Sequence, residues 1–287
     1  MDQKRCLTIQ DISCMGRCSL TVALPVISAA GIETVIIPTA VLSNHTAGFK
    51  SWTFRDMTED ILPIVDKWNG YRNHFDAIYT GYLAASQVPV VSEVFDRLKD
   101  ENTLILVDPA MADSGKMYPG FDLAFARRMA ELVSKADITV PNLTEAAFML
   151  GEEYRGHDYD RKYIAETARR LADLGPRYAV LSGISFEEGK VGVFTYDKKE
   201  DKENYFCTEN IPGYFHGTGD IFASGLVSGL LNGMDITRAA RLAHNLVHYA
   251  IQESVAANDK EVFYGVRFEP ALGKFIEEIN SFKKNGR

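Results

Sequence analysis

The segment Gly213-Tyr-Phe-His-Gly-Thr-Gly-Asp-Ile-Phe-Ala-Ser224 joins a glycine-rich turn, an acid and the start of an apolar helix. Gly217 and Gly219 can take backbone angles closed to other residues, so successive N–H groups can converge on an anion. Ile221, Phe222, Leu226, Leu230 and Leu231 recur at helical spacing, which puts the turn at a helix N-terminus, where unpaired N–H groups and the helix dipole favour phosphate. Asp220 would repel such a ligand unless it had a task, and the natural task is to take a proton from an attacking hydroxyl. The alternative is that Asp220 only caps the helix, as acids in a first turn often do. From this stretch alone both readings stand.

A second acid, Asp108, ends the apolar run Thr103-Leu-Ile-Leu-Val and precedes Pro109, where a site residue and a turn former are both reasonable. Other reactive residues are less convincing. Cys14 and Cys18 lack the further Cys or His ligands of a tetrahedral zinc set, and His244 and His248, four apart, lack a carboxylate partner. His45 and His216 have no visible nucleophile and are assigned to local hydrogen bonding. Lys116 has the chemistry of a phosphate contact but reads as a solvated loop lysine.

These residues need a scaffold, and 287 residues with 46% apolar content can bury a full core in one domain, 1–287. A net charge of −8 without a basic block argues against nucleic acid as a partner. No apolar run approaches the ~20 residues of a membrane span, and the one after the first residues is too short for a signal peptide, so a cytoplasmic location is expected.

Strands are expected at Leu7–Gln10, Val35–Pro38, Thr103–Asp108, Asp137–Val140 and Tyr178–Ser182, and Phe75–Tyr82 reads as a strand running into a glycine turn. Helices fall between them, at Thr21–Ala30, Thr58–Trp68, Val88–Lys99, Phe121–Lys135 and Asp160–Leu174, with one opened by Pro141-Asn-Leu-Thr-Glu145 and capped by Asn142 or Thr144. Lys190–Thr208 reads as β-structure around a solvated charged turn, Asp197–Lys202. Three helices close the chain, at Thr218–Leu231, Asp235–Ala257 and Ala271–Phe282. Such alternation predicts a mostly parallel sheet with crossover helices and ligands beyond the C-terminal strand ends.

Taken together, Leu7–Gln10, Ser43-Asn-His-Thr46 with Trp52, Thr80-Gly-Tyr-Leu83, Asp108-Pro-Ala-Met111, Pro141-Asn-Leu-Thr-Glu145 and Gly217-Thr-Gly-Asp220 resemble the pyridoxal, pyridoxine and pyridoxamine kinases of the ribokinase-like superfamily. The segments keep the family's order and cover most of the chain. Gly-x-Gly-Asp is the superfamily marker, Ser-Asn-His-Thr and Thr-Gly-Tyr are the vitamin B6 features, and the paired N-terminal glycines of sugar kinases are missing. The resemblance implies a three-layer α/β/α sandwich with a central mostly parallel sheet and helices on both faces. It also implies ATP and Mg2+ as cofactors and a homodimer, and leaves open whether a monovalent cation such as K+ assists.

Residue by residue, the resemblance makes Asp220 the general base on the substrate's 5′-hydroxymethyl group and gives the transferring phosphoryl group to Gly217, Thr218 and Gly219. Asp108, Asn142 and Glu145 match positions around ATP phosphates and magnesium. Asp113 matches a metal position, Tyr118 and Ser182 match nucleotide positions, and Tyr205–Thr208 falls where a nucleotide-facing edge is expected. Thr46 and Tyr82 match the vitamer pocket. The main departure is Asp11, where the family usually has Ser, followed by Ile12 in place of a common His; Met15–Leu20 also lacks a second family glycine and an Asn. Asp11 either pairs with a protonated ring nitrogen, a charge-assisted bond, or faces away and shapes the turn. Two other readings remain: a hydroxymethylpyrimidine kinase, and a catalytically silent small-molecule binder on the same fold.

Overall fold

The computed structural model describes residues 3–71, 74–258 and 262–285; Met1 and Asp2, at the head of the segment read for a signal peptide, lie outside them. The chain begins β1 (Arg5–Ser13), α1 (Leu20–Ala29), β2 (Glu33–Leu42), β3 (Phe54–Asp56), α2 (Thr58–Lys67), β4 (Ala77–Thr80), α3 (Gln87–Leu98) and β5 (Leu104–Val107). A small hairpin, β6 (Ala112–Asp113) with β7 (Lys116–Met117), then leads to α4 (Leu123–Val133), β8 (Ile138–Thr139), α5 (Leu143–Met149), α6 (Arg161–Asp173) and β9 (Tyr178–Ile184). The antiparallel β10 (Lys190–Asp197) and β11 (Lys202–Glu209) precede α7 (Thr218–Leu231), α8 (Ile236–Ala256) and α9 (Leu272–Asn285).

Nine strands form one sheet in the order β11-β10-β9-β8-β5-β4-β1-β2-β3. Its six central strands, β9 to β2, are parallel. Side-chain alternation along the strands feeds two cores. Leu7, Ile9, Ile78, Ile105 and Val107 face α2 to α6, whereas Cys6, Tyr79, Leu106 and Val180 face α1, α7, α8 and α9. The expected three-layer sandwich is present.

The chain passes from β1 to β2 on one side and returns to β4 on the other, so the sheet's topological switch lies between β1 and β4. Ligands of such sheets bind in the crevice beyond the strand ends at that point. α7 aims its N-terminus at the same edge. Gly225 and Gly229 let it pack tightly on α8, because a Cβ at these positions would stand 3.0 Å from Ala243 Cα and 2.9 Å from Ala239 Cβ. Ile221, Leu226 and Val227 are fully buried, each contributing roughly 1.5–3 kcal/mol, so the first turn of α7 is firmly seated.

Three features depart from the sequence reading. The Asp197 turn is not simply solvated: Asp197 is buried and takes two hydrogen bonds from the Arg177 guanidinium, at 3.0 and 2.8 Å. That pairing satisfies a carboxylate the turn pulls inward. β1 and β2 run farther than expected, so Asp11 lies within β1, beside a bulge between Gln10 and Ile12. β3 and the β6–β7 hairpin, two or three residues per strand, carry no readable periodicity.

Candidate active site

The ends of β1, β4 and β5 and the first turn of α7 converge. α7 starts at Gly217, whose φ of 79° is left-handed, and no side chain caps the helix. Asp220 is the acid of the first turn, and no N–H of α7 donates to its carboxylate among the described residues. Its Oδ2 instead accepts the Ser19 N–H at 2.9 Å, a bond spanning 201 residues of sequence. Among the described residues, the amides of Thr218, Gly219 and Asp220 donate to no other group, which leaves three N–H groups of the first turn available to an anion. The Thr218 hydroxyl closes the turn by donating to the Phe215 carbonyl at 3.3 Å.

The two glycines differ. A Cβ on Gly217 would lie 2.1 Å from the Arg17 carbonyl oxygen, so this glycine permits the turn to pack on the loop that carries Ser19. A Cβ on Gly219 would meet only the Asp108 carboxylate, at 4.0 Å, in otherwise open space. Asp220 keeps partial exposure. Burial, with the nearby Asp11 carboxylate, pushes its pKa up to about 7 against the Ser19 N–H, which pulls it down.

Asp108 follows β5 directly; its Oδ1 accepts the Ala110 N–H at 3.2 Å. Burial and then the Glu145 and Asp220 charges hold its carboxyl well above the usual range. Asn142 and Glu145 form a capping box on α5: Asn142 Oδ1 accepts the Glu145 N–H at 3.0 Å and Glu145 Oε2 accepts the Asn142 N–H at 2.9 Å. Glu145 Oε1 also accepts the Met111 N–H at 2.9 Å, and Asn142 Nδ2 donates to the Ala112 carbonyl at 2.7 Å. Glu145 thus ties the segment after Asp108 to α5, and burial keeps its pKa raised despite these donors. Ser182 pairs with Asn142 as an isolated parallel bridge, which adds β9 to the same edge.

Tyr118 adjoins this group with 39% of its surface exposed; partial loss of hydration and then the Glu145, Asp113 and Asp108 charges oppose its ionisation. Asp113 lies at the rim, accepting the Tyr214 hydroxyl at 3.1 Å. Among the described residues no Lys or Arg pairs with Asp11, Asp108, Asp113, Glu145 or Asp220, and no three His, Cys, Asp or Glu side chains form a ready metal cage. Carboxylates without a cationic partner beside free amides fit a hydrated divalent ion carried in with phosphates, since magnesium keeps several waters and takes few protein ligands.

At the switch point, Asp11 is buried; Ser13 Oγ donates to it at 2.8 Å and the Ser19 hydroxyl lies beside it. Burial raises its pKa more than these hydroxyls lower it. The Asp11 charge opposes the ionisation of both Tyr82 and Asp220. The half-buried Tyr82 ring packs on Phe121 with centroids 5.4 Å apart. Thr46 is not drawn in: it is exposed in the loop after β2 and its side chain makes no hydrogen bond among the described residues.

Four of the histidines fall into two groups, one beside the site and one on α8. His45 is buried with neither ring nitrogen hydrogen-bonded; it packs edge-on against Phe49 at 4.9 Å and lies 6.0 Å from the His216 ring. His216 packs on Tyr214 at 4.8 Å. Ring packing holds both, and the Tyr264 and Phe263 backbone beside His45 favours its protonated form, although burial lowers its pKa overall. His244 Nε2 and His248 Nδ1 instead share the Thr208 hydroxyl, at 2.9 and 3.3 Å, which fastens β11 to α8. Tyr205 donates to the Ile184 carbonyl at 3.3 Å and packs on Phe186. Lys116 is exposed on β7.

Sequence reasoning missed Ser19, whose φ of 56° is one that favours glycine. Ala110 (φ 30°) and Ser114 (φ 49°) are similarly strained, and all three adjoin the acids. Such strain collects where surroundings over-determine the backbone, often at functional sites. The only sequence signal was that Met15–Leu20 lacks an expected glycine.

The sequence matches the phosphomethylpyrimidine kinase family over residues 23–264. A Bacteroides thetaiotaomicron structure described as a putative phosphomethylpyrimidine kinase, in a crystal form with pyridoxal, is 32% identical, with a TM-score of 0.88 over 96% of both chains. A Lactobacillus plantarum pyridoxal kinase structure is 25% identical, with a TM-score of 0.88 over 96% of this chain and 98% of its own. The pyridoxal kinase of Dictyostelium discoideum is 26% identical over 96% of each protein. With the match spanning most of its length and the ribokinase-like fold in common, the chain belongs to the phosphomethylpyrimidine kinase family, alongside relatives named pyridoxal kinases.

Proposed function

We propose that the chain transfers the γ-phosphoryl group of ATP to the 5′-hydroxymethyl group of a vitamin B6 vitamer. The observation that carries this reading is Asp220: an ionisable, partly open carboxylate held by one backbone N–H beside three unused helix amides. With a pKa near 7 it is poised to accept a proton at neutral pH. The Gly217–Gly219 turn holds the migrating phosphoryl group, Asp108, Asn142 and Glu145 face the nucleotide phosphates and magnesium through water, and Tyr118 and Ser182 border the nucleotide. Asp113 would help to hold the metal. Magnesium, when bound, neutralises phosphate charge; the chain supplies alignment and proton removal, which a loose phosphoryl-transfer transition state needs most.

On the substrate side Tyr82 forms the ring wall and Asp11 faces the ring nitrogen. A buried carboxylate without a cationic partner favours a pyridinium, and a charge-assisted bond is worth roughly 1.5–3 kcal/mol. Asp11→Asn is therefore expected to raise KM for pyridoxine by about 10–100-fold, with a smaller change for ATP. Equal Michaelis constants for all three vitamers before and after the substitution would remove Asp11 from the pocket. A second reading, phosphorylation of an aminopyrimidine alcohol, is favoured by the same Asp11, because a carboxyl group suits an amino-substituted ring better than a lone serine hydroxyl does.

Coupled assays of ADP release with pyridoxal, pyridoxine, pyridoxamine and the aminopyrimidine alcohol test both. Release with the aminopyrimidine alone selects the second reading. Release above the ATP-only rate with none of the four overturns the kinase proposal.

A further inference from the structure

Beside the proposed base stands a segment that the reaction itself does not use, residues 264–269 between α8 and α9. Val266 and Phe268 are buried in the core shared with α7, α8 and α9, and the Arg267 N–H donates to Ser254 Oγ on α8 at 2.7 Å. The segment is thus a fixed post. From it, two sets of bonds run to the site. The Val266 N–H donates to the His216 carbonyl at 3.2 Å, which holds the residue just ahead of Gly217 and the α7 turn. Arg17, in the loop between β1 and α1, takes the others. Its backbone N–H donates to the Tyr264 carbonyl at 2.8 Å and its Nη1 to the Gly265 carbonyl at 3.3 Å. Its Nε donates to both Glu269 oxygens, at 2.8 and 3.0 Å, and the guanidinium lies 5.2 Å over the Tyr264 ring.

The Arg17 carbonyl oxygen lies between two glycines: an added Cβ would stand 2.1 Å from it on Gly217 and 2.6 Å from it on Gly265. Arg17 is therefore held at its amide, its side chain and its carbonyl. Two residues on, the Ser19 N–H meets Asp220 Oδ2. We propose that Arg17, clamped by Glu269, is a positioning residue for the proposed base: it fixes the Ser19 N–H against Asp220 Oδ2 and so presents the other carboxylate oxygen to the incoming hydroxyl.

Two simpler roles fit less well. Arg17 pairs with Glu269 and not with Asp11, Asp108 or Asp220, so its charge is not spent on the site. Nor is the pair built for stability, because the Arg17 and Glu269 side chains keep 21% and 51% of their surface exposed, and ion pairs this open contribute little. What the pair does constrain is a loop in which Ser19 sits at a φ of 56°, a conformation that persists only where the surroundings over-determine it. Misplacing a catalytic group by about 1 Å can cost on the order of 10²-fold in rate, so a small slackening here has a large effect.

The inference rests on Asp220 as the base, so its test includes a readout independent of turnover. Arg17→Lys keeps the charge and the backbone bonds but loses the planar fork, and Glu269→Gln keeps the shape with a weaker acceptor. In both, kcat, KM, the melting temperature and hydrogen exchange at the Ser19 amide are measured against the wild-type protein. Arg17→Lys is expected to lower kcat about 10-fold or more, to leave KM for ATP within about twofold and to speed Ser19 exchange about 10-fold or more. Glu269→Gln moves the same quantities the same way by less. The melting temperature stays within about 4 °C, the reach of one open ion pair in a chain this size. Unchanged kcat or unchanged Ser19 exchange in Arg17→Lys overturns the proposal. So does a larger fall in melting temperature in step with kcat, which is what a purely structural clamp would give. Should Asp220→Asn keep full turnover, the base assignment fails, while Ser19 exchange still decides whether Arg17 sets that bond.

Discussion

Asp220→Asn lowers kcat by about 10²–10⁴-fold, the usual size of a general-base contribution, and changes the affinity for ATP much less. The amide oxygen of Asn can still accept the Ser19 N–H, so the turn survives and only proton removal is lost. The wild-type protein shows an acid limb in kcat/KM near pH 7, because the carboxylate must be ionised and its pKa stands at about 7. Stability moves the opposite way. The folded pKa lies above the ordinary carboxylate value, so protonation favours the fold; this contribution is complete below about pH 4 and lost as pH rises through 7. At pH 8 the native protein therefore carries an unfavourable charge that Asn lacks. Asp220→Asn is expected to melt higher than wild type at pH 8 and close to it at pH 4, by calorimetry. Unchanged turnover would remove Asp220 from the reaction, and a lower melting temperature at pH 8 would contradict the raised pKa.

The elements that sequence periodicity reveals are those whose pattern is local. α7 is legible because its apolar residues recur at helical spacing after a glycine turn, and the α5 cap because Asn142 and Glu145 stand three apart ahead of an apolar run. Asp108 is legible as an acid ending a buried strand. What stayed hidden depends on tertiary contacts. Nothing near Ser19 signals that its N–H will meet a carboxylate 201 positions away, and its positive φ lies in a loop whose Arg17 carbonyl packs closely against Gly217 and Gly265. Tyr79 reads as one more strand aromatic; only the assembled sheet brings its hydroxyl beneath α7. Thr46 and His45 show the converse, a local motif whose neighbours turned out to be rings and solvent.

Gly219→Ala is expected to lower kcat/KM by about 10²-fold or more while leaving the fold at least as stable, since displacing a preorganised donor from a developing charge has effects of that size. The contrast between the two glycines makes this decisive. Gly219 is inside α7 with an ordinary φ, where Ala is normally favoured by roughly 0.5–1 kcal/mol, and its Cβ would touch nothing closer than the Asp108 carboxylate at 4.0 Å. Folding alone would not select glycine there; an incoming phosphoryl group would, because the methyl occupies the space over the free amides. Gly217→Ala is different. Its φ of 79° and the Arg17 oxygen 2.1 Å from the added carbon strain the turn and displace the loop carrying Ser19, so stability and activity fall together. Melting curves and kcat/KM on the two variants separate a ligand-shaped glycine from a fold-shaped one. Normal kcat/KM in the Gly219→Ala variant would mean that no phosphoryl group passes over this turn, and the amides of Thr218, Gly219 and Asp220 would then need another ligand to account for their being left unpaired.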